Sequence, residues 1–273
     1  MSLAPEMKLS PILESILDHK RDQVRHLKRI FPLATLMDSA ERNRGERGSL
    51  AEAIGSGGGP SIIAEIKRSS PGQCYVPTGF DPVAIAKGYE AAGAVALSVL
   101  TEDRFFMGSA PYIPMVKKAV SIPVLRKDFI VDPWQIAESA ALGADAVLLM
   151  AALFSAPEEM IPYYDIALQT GIEILMEIHT LSEWEMASNM IPDIVGINNR
   201  DFRSPDLDLD IETTVRLAPA LPEDVTVISE SGLSSASQLG RLASLGVDGF
   251  LIGSAFMKTG DPAGALRDLI AGA

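Results

Sequence analysis

The sequence predicts an α/β fold, a (β/α)8 TIM barrel carrying an N-terminal helical extension. Three observations lead there. From residue 61 onward, eight short β-branched runs alternate with helix-like segments over about 210 residues, the rhythm of βα units on a closed parallel sheet. No Gly-rich GxGxxG turn follows the first run, so the rival open, doubly wound sheet lacks its usual signature. Charged and amide side chains gather at the ends of the runs, whereas the beginnings are almost purely apolar.

The elements follow in order. Residues 1–50 lie outside the repeat and form the extension; residues 51–273 form the barrel domain. PILESILDHKRDQVRHLKRI carries Ile12, Leu13, Ile16, Leu17, Val24, Leu27 and Ile30 at helical spacing. This amphipathic helix is expected to pack on the barrel, either as a plain lid or as a wall of the ligand site. GSGGGP (55–60) reads as a flexible lead-in. The strand candidates are SIIAEIKR (61–68), VALSVLT (95–101), PVLRKDF (123–129), DAVLLMA (145–151), EILMEIH (173–179), DIVGINNR (193–200), TVISES (226–231) and GFLIGS (249–254). Asp81-Pro82, Asp132-Pro133 and Asp261-Pro262 read as an N-cap followed by an N1 proline. Gly93, Gly143, Gly171 and Gly246 stand where helices should stop.

Composition narrows the function. A net charge of -13 argues against a general binder of nucleic acid or anionic membrane, although a pocket can still be locally positive. Cys74 is the single cysteine, so no disulfide framework or cysteine-based metal site is expected, and a reducing, cytoplasmic setting fits. His19, His26 and His179 form no metal-ligand motif. The longest apolar stretch, AVLLMAALF, is too short to span a bilayer, and no export signal opens the chain.

In such a barrel the chemistry sits at the C-terminal ends of the strands. The first run gives Glu65 and Lys67, the third Lys127 and Asp128, the fifth Glu177 and His179. The sixth gives Asn198, Asn199 and Arg200; the seventh, Ser229, Glu230 and Ser231. Glu65 and Lys67 stand two apart, so they share one face and point into the barrel mouth. Alone, they would read equally well as a satisfied ion pair. Converging with Lys127, Glu177, Asn198, Arg200 and Glu230, they read as acid–base machinery whose members shift one another's pKa values. Asp128 is expected to cap a strand end or orient Lys127. His179 is expected to be a wall or supporting residue, and Cys74, Trp134 and Trp184 packing or surface residues. SESGL and LIGSAF end the last two runs. There Gly232 and Gly253 let backbone amides approach a ligand, and a helix terminus with Ser254 adds donors for a phosphate.

Together these motifs resemble the indole-3-glycerol phosphate synthase family. IAEIKRSSP (63–71), SVLTEDRFFMGS (98–109), PVLRKDFIVDPWQI (123–136), LMEIHT (175–180), GINNRDF (196–202), ISESGL (228–233) and LIGSAFM (251–257) carry the resemblance, in order, over nearly the whole chain. One stretch departs: the family usually continues its first motif as Ser-Pro-Ser-Lys-Gly, and this chain reads SPGQCYV, with Gly72, Gln73 and Cys74 and no loop lysine.

The resemblance implies a barrel enzyme without metal or cofactor, acting on 1-(2-carboxyphenylamino)-1-deoxyribulose 5-phosphate. It closes the pyrrole ring with loss of carbon dioxide and water. It also implies Lys127 as the acid for ring closure and Lys67 with Glu65 as candidates for dehydration. Glu177 would assist proton transfer, Asn198 and Arg200 would hold the anthranilate side, and Glu230 would complete the rim. Ser231 belongs to the substrate site, Phe106 and Phe129 would pack on the aromatic ring, and Ser70, Lys67, Gly232, Gly253 and Ser254 would grip the phosphate. The alternatives are another phosphosugar barrel such as a phosphoribosyl isomerase, or a catalytically silent phosphosugar-binding scaffold. Expected partners are the phosphorylated small molecule and other enzymes of the tryptophan pathway, with no nucleic acid and no membrane.

Overall fold

Alternation along the first strand shows how the barrel is built. Ile62, Ala64 and Ile66 pack outward among helix residues such as Ala86 and Tyr89. Ile63 instead faces Leu125, Leu148, Leu175 and Leu251 in the barrel interior, as the two-residue period of a strand requires. The computed structural model describes residues 9–55, 59–76, 78–204 and 207–273. The expectation about the chain's opening, and half of the GSGGGP lead-in (residues 56–58), fall outside these.

The barrel strands are β1 (Ser61–Ile66), β2 (Ala96–Leu100), β3 (Val124–Lys127), β4 (Ala146–Met150), β5 (Glu173–Ile178), β6 (Ile194–Asn198), β7 (Thr226–Glu230) and β8 (Gly249–Ile252). Each pairs in parallel with the next, and β1 closes the ring by pairing Ser61 with Gly249 of β8 and Ile63 with Ala96 of β2. The strands stop one or two residues before the apolar runs do. Lys67, Asp128, Phe129, Arg200, Ser231, Gly253 and Ser254 therefore lie just past the ladder, where side chains and amides are free to face a ligand.

Helices α4 (Pro82–Ala91) and α12 (Pro262–Ala271) begin at Asp81 and Asp261, whose carboxylates accept from the first-turn amides. Helix α6 (Trp134–Ala141) starts one residue later than Asp132-Pro133 suggests, though Asp132 still accepts from Trp134 N at 2.9 Å. Gly93, Gly143, Gly171 and Gly246 all take the left-handed backbone expected of helix stops.

The residues before the barrel reach both of its ends. Helix α3 (Leu50–Gly55) sits at the strand beginnings: Ser61 Oγ donates to the Ile54 carbonyl at 2.6 Å, and Ser49 Oγ donates to Glu173 at 2.6 Å. Gly55 thus ends a helix rather than opening a flexible lead-in. Helix α1 (Pro11–Ile30) lies instead along the strand ends. Its Leu13, Ile16 and Leu17 cluster with Phe106 and Phe129, and Lys28 pairs with Asp132 at 2.7 Å. Lys20, buried on the same helix, pairs with Asp128 at 2.9 Å. Trp134 is buried under α1 and α2 (Leu33–Asn43), its indole donating to the Phe31 carbonyl at 2.9 Å. Among the described residues no helix is long and apolar enough to cross a membrane.

Candidate active site

The C-terminal mouth encloses a cavity of roughly 400 Å³. Its floor is charged. Glu65 Oε1 lies 2.5 Å from Lys67 Nζ, so the two strand-face neighbours form a charge-assisted bond at the wall. Lys127 Nζ stands 3.0 Å from Glu230 and 3.4 Å from Glu177, and Asn198 Nδ2 donates to the same Glu177 oxygen at 3.1 Å. Glu65, Lys67, Lys127, Glu177 and Asn198 all line the cavity; Glu230 does not. It is buried beneath Lys127, and among the described residues its Oε1 finds no hydrogen-bond partner.

Burial by itself would drive the Lys127 ammonium to lose its proton, but Glu230, Glu177 and Glu65 outweigh burial and raise its pKa above the ordinary lysine value. Burial pushes the Glu230 carboxyl up to about 7; Lys127 opposes that, and the charges of Glu177 and Glu65 add to it. The cluster thus holds one firmly protonated amine above a carboxyl that changes charge near neutrality.

Asp128 is a supporting group. It accepts from Thr101 Oγ1 at 2.6 Å and from its neighbour's amide, Phe129 N, at 2.8 Å, and it pairs with Arg126 and Lys20. Burial raises its pKa, but Lys20 and Arg126 more than reverse this and keep the carboxyl ionised. It fixes the chain between Lys127 and Phe129. His179 is also structural: its Nδ1 lies 2.6 Å from the Asn198 carbonyl, which only accepts, so that nitrogen carries a proton.

Phe106 and Phe129 form an aromatic wall with Phe202, each neighbouring pair of ring centroids 6.0 Å apart. Arg200 lines the cavity beside them, its guanidinium tied to the Leu207 carbonyl at 3.1 Å and its amide to Asn198 Oδ1 at 2.9 Å. Ser70, Ser231, Gly232, Gly253 and Ser254 form a further stretch of the rim. Ser231 and Gly232 are both left-handed, at φ 68° and 78°, which bends the chain sharply off β7; strain of this kind gathers at ligand sites. Asn199 donates to the Ser231 carbonyl at 3.0 Å and holds the bend. The helix after β8, α11 (Ser254–Met257), has four residues, so this rim offers amides and a hydroxyl rather than a macrodipole.

Several site residues escape sequence reasoning. Tyr75, Phe202 and Lys258 line the cavity. Gly196 matters for space: a Cβ there would lie against Glu230 Oε1 and 2.6 Å from Leu175 Cδ2. The polar run Asn198-Asn199-Arg200 beside it gives no hint of it. His19, Glu102 and Asp103 come within 4.8 Å of one another at the edge of α1, a grouping their sequence spacing does not suggest. Glu102 is already engaged by the amides of Arg104, Phe105 and Phe106.

A family model described as indole-3-glycerol phosphate synthase matches residues 13–269. The chain belongs to the indole-3-glycerol phosphate synthase family. The synthase of Caldanaerobacter subterraneus subsp. tengcongensis is 45% identical over 247 residues, covering 90% of this chain and 93% of that one. The synthase of Thermoanaerobacter pseudethanolicus is 42% identical, covering 95% and 97%, and that of Azospirillum brasilense 40% identical, covering 96% and 100%. The 3-hexulose-6-phosphate synthase of Salmonella typhimurium shares the fold alone, at a TM-score of 0.61 and 14% identity, over 77% of this chain and 97% of that one. Indole-3-glycerol phosphate synthase activity, a carboxy-lyase step of tryptophan biosynthesis, follows from family membership. The phosphoribosyl isomerase and silent-scaffold alternatives give way to it.

Proposed function

We propose that this cavity closes the pyrrole ring of 1-(2-carboxyphenylamino)-1-deoxyribulose 5-phosphate with Lys127 as general acid. The observation that supports it most is the Lys127 ammonium, held protonated at the cavity floor between Glu177 and Glu230. The ring carbon bearing the carboxylate attacks the ketone, and the ketone's electron pair moves to oxygen. That oxygen, becoming an alkoxide, is more basic than an amine and takes the proton from Lys127. Glu177 stabilises the cationic ring that results. Breaking the ring–carboxylate bond releases carbon dioxide and restores aromaticity. In dehydration Glu65 removes a proton from the new five-membered ring, and Lys67 protonates the hydroxyl that departs as water.

Arg200 and Asn198 hold the anthranilate end, where a planar guanidinium suits a carboxylate. Phe106 and Phe129 flank the ring, and Ser231 contacts the substrate. Ser70, Lys67, Gly232, Gly253 and Ser254 hold the phosphate. A cytoplasmic setting is supported by the lone cysteine, and other enzymes of the pathway are the proposed macromolecular partners.

The test is indole fluorescence on mixing purified protein with substrate, run beside Lys127→Ala. Loss of a positioned acid costs about 10² to 10⁴ in rate, while competition by inorganic phosphate persists. A Lys127→Ala turnover within about threefold of the parent removes Lys127 from this role.

A further inference from the structure

The loop after β1, where the chain departs from the family pattern, folds back on itself. Ser69–Ser70 pairs antiparallel with Gln73–Cys74 across a turn in which Gly72 is left-handed. The return stroke brings Tyr75 over the end of β1, its amide donating to the Arg68 carbonyl at 2.9 Å. The ring then sits 5.6 Å from Lys67 Nζ. The hydroxyl lies 2.8 Å from Ser70 Oγ and 3.1 Å from Ser254 Oγ. Ser254 follows β8, so this contact ties the first loop of the barrel to the last. Ser70, Tyr75 and Ser254 all line the cavity, as do Lys67 and Lys258.

We infer that Tyr75 is a further substrate-binding residue: its hydroxyl, centred in a Ser70–Tyr75–Ser254 chain, contacts a phosphate monoester and latches the β1 loop over it. The inference rests on the reading of this rim as the phosphate end. Proton counting supports it. Three hydroxyls carry three protons, and the two bonds between them use two. One proton is left to donate outward; with both serines donating to the phenol oxygen, the sense in which their bonds lower the Tyr75 pKa, it is the tyrosine's own, and a phosphate dianion, which only accepts, is the partner that suits it. The surroundings agree in sign. Burial alone would raise the Tyr75 pKa, but the bonds to Ser254 and Ser70 and the charges of Lys67 and Lys258 together bring it below the ordinary tyrosine value. The same pair of ammonium groups favours a dianion. The loop thus supplies a hydroxyl from the segment where the family pattern carries its lysine.

Tyr75→Phe keeps the ring over Lys67 and removes only the hydroxyl. KM for substrate and the competitive inhibition constant of inorganic phosphate should both rise about tenfold or more, with kcat nearly unchanged, the signature of lost uniform binding. Affinity for the dephosphorylated substrate analogue should hold steady. Ser254→Ala should cost less in the Tyr75→Phe background than in the parent, since the two hydroxyls share one chain. If phosphate fails to compete in the parent protein, the reading of this rim fails and takes the inference with it. If phosphate competes in the parent and equally well in Tyr75→Phe, the inference alone is overturned. A lower melting temperature with unchanged phosphate inhibition overturns it too, because Tyr75 would then be a structural latch only.

Discussion

Glu230 holds Lys127 from below: carboxylate oxygen and ammonium lie 3.0 Å apart, although Glu230 reaches no part of the cavity wall. It can therefore act on the reaction only through Lys127. Glu177, on the cavity side of the same ammonium at 3.4 Å, is placed to meet substrate as well. The two carboxylates share one cation but not one task. In the proposed mechanism Glu230 would set where the proton donor points, and Glu177 would face the charge that develops.

Glu230→Gln tests that division. The carboxyl's folded pKa, about 7, lies above its ordinary value of 4.5, so between those values the folded chain binds a proton that the unfolded chain releases. Its contribution to stability is therefore fully present below about pH 4.5 and is lost as pH rises through about 7. Denaturant titrations at pH 5 and pH 8 should show a larger fall for the parent than for Glu230→Gln. The profile of kcat/KM should also lose an inflection near 7 in the variant, with a rate loss of about tenfold or more. An unchanged inflection would assign it to another group.

The barrel was legible because its signals are local. β-branched runs, Asp-Pro caps and glycine stops each depend on neighbours a few residues away, and Glu65 and Lys67 share a face by strand period alone. What stayed hidden depends on distant partners. Lys20 reads as one more charge on an amphipathic helix until Asp128 comes to meet it. Tyr75 looks like a loop tyrosine until the β1 hairpin carries it to Ser254. Gly196 is an unremarked glycine inside a strand until Glu230 from the next strand fills the space beside it.

Lys20→Met should show that the extension supports the site. Its ammonium and the Asp128 carboxylate are both almost wholly shielded from solvent. Breaking such a pair from one side costs about 3 to 5 kcal/mol, and Arg126 leaves Asp128 partly compensated, so the lower figure is expected. Because Asp128 adjoins Lys127 and anchors Phe129 N, kcat should fall along with stability. A denaturation free energy within about 1 kcal/mol of the parent would show that the pair is worth little to the fold.

Gly253→Ala separates two reasons for a glycine at this rim. A Cβ would lie against Glu65 Oε1 and 2.8 Å from Glu65 Cβ, whereas φ there is negative, at -134°, so a left-handed backbone is not what calls for glycine. Space for Glu65 is thus the stronger demand. The substitution should cost about 1 to 3 kcal/mol through overpacking, and much less in a Glu65→Ala background where the clash is gone. Equal costs in both backgrounds, from melting curves of the four proteins, would show that Glu65 is not what the glycine accommodates.

Glu65→Gln addresses the order of the chemistry. Glu65 and Lys67 leave one strand face and meet at 2.5 Å inside the cavity, an arrangement suited to removing one proton and delivering another in the same step. The amide keeps the volume beside Gly253 but cannot serve as a base. If ring closure draws its proton from Lys127, as proposed, it should be affected less than dehydration, with a loss in the dehydration step of about 10² or more. An intermediate lighter than substrate by carbon dioxide but not by water should then accumulate, visible by rapid quench and mass spectrometry. If the variant is slow and substrate alone persists, Glu65 serves ring closure or structure, and dehydration must take its base from elsewhere on the floor, with Glu177 the remaining cavity-lining carboxylate in contact with Lys127.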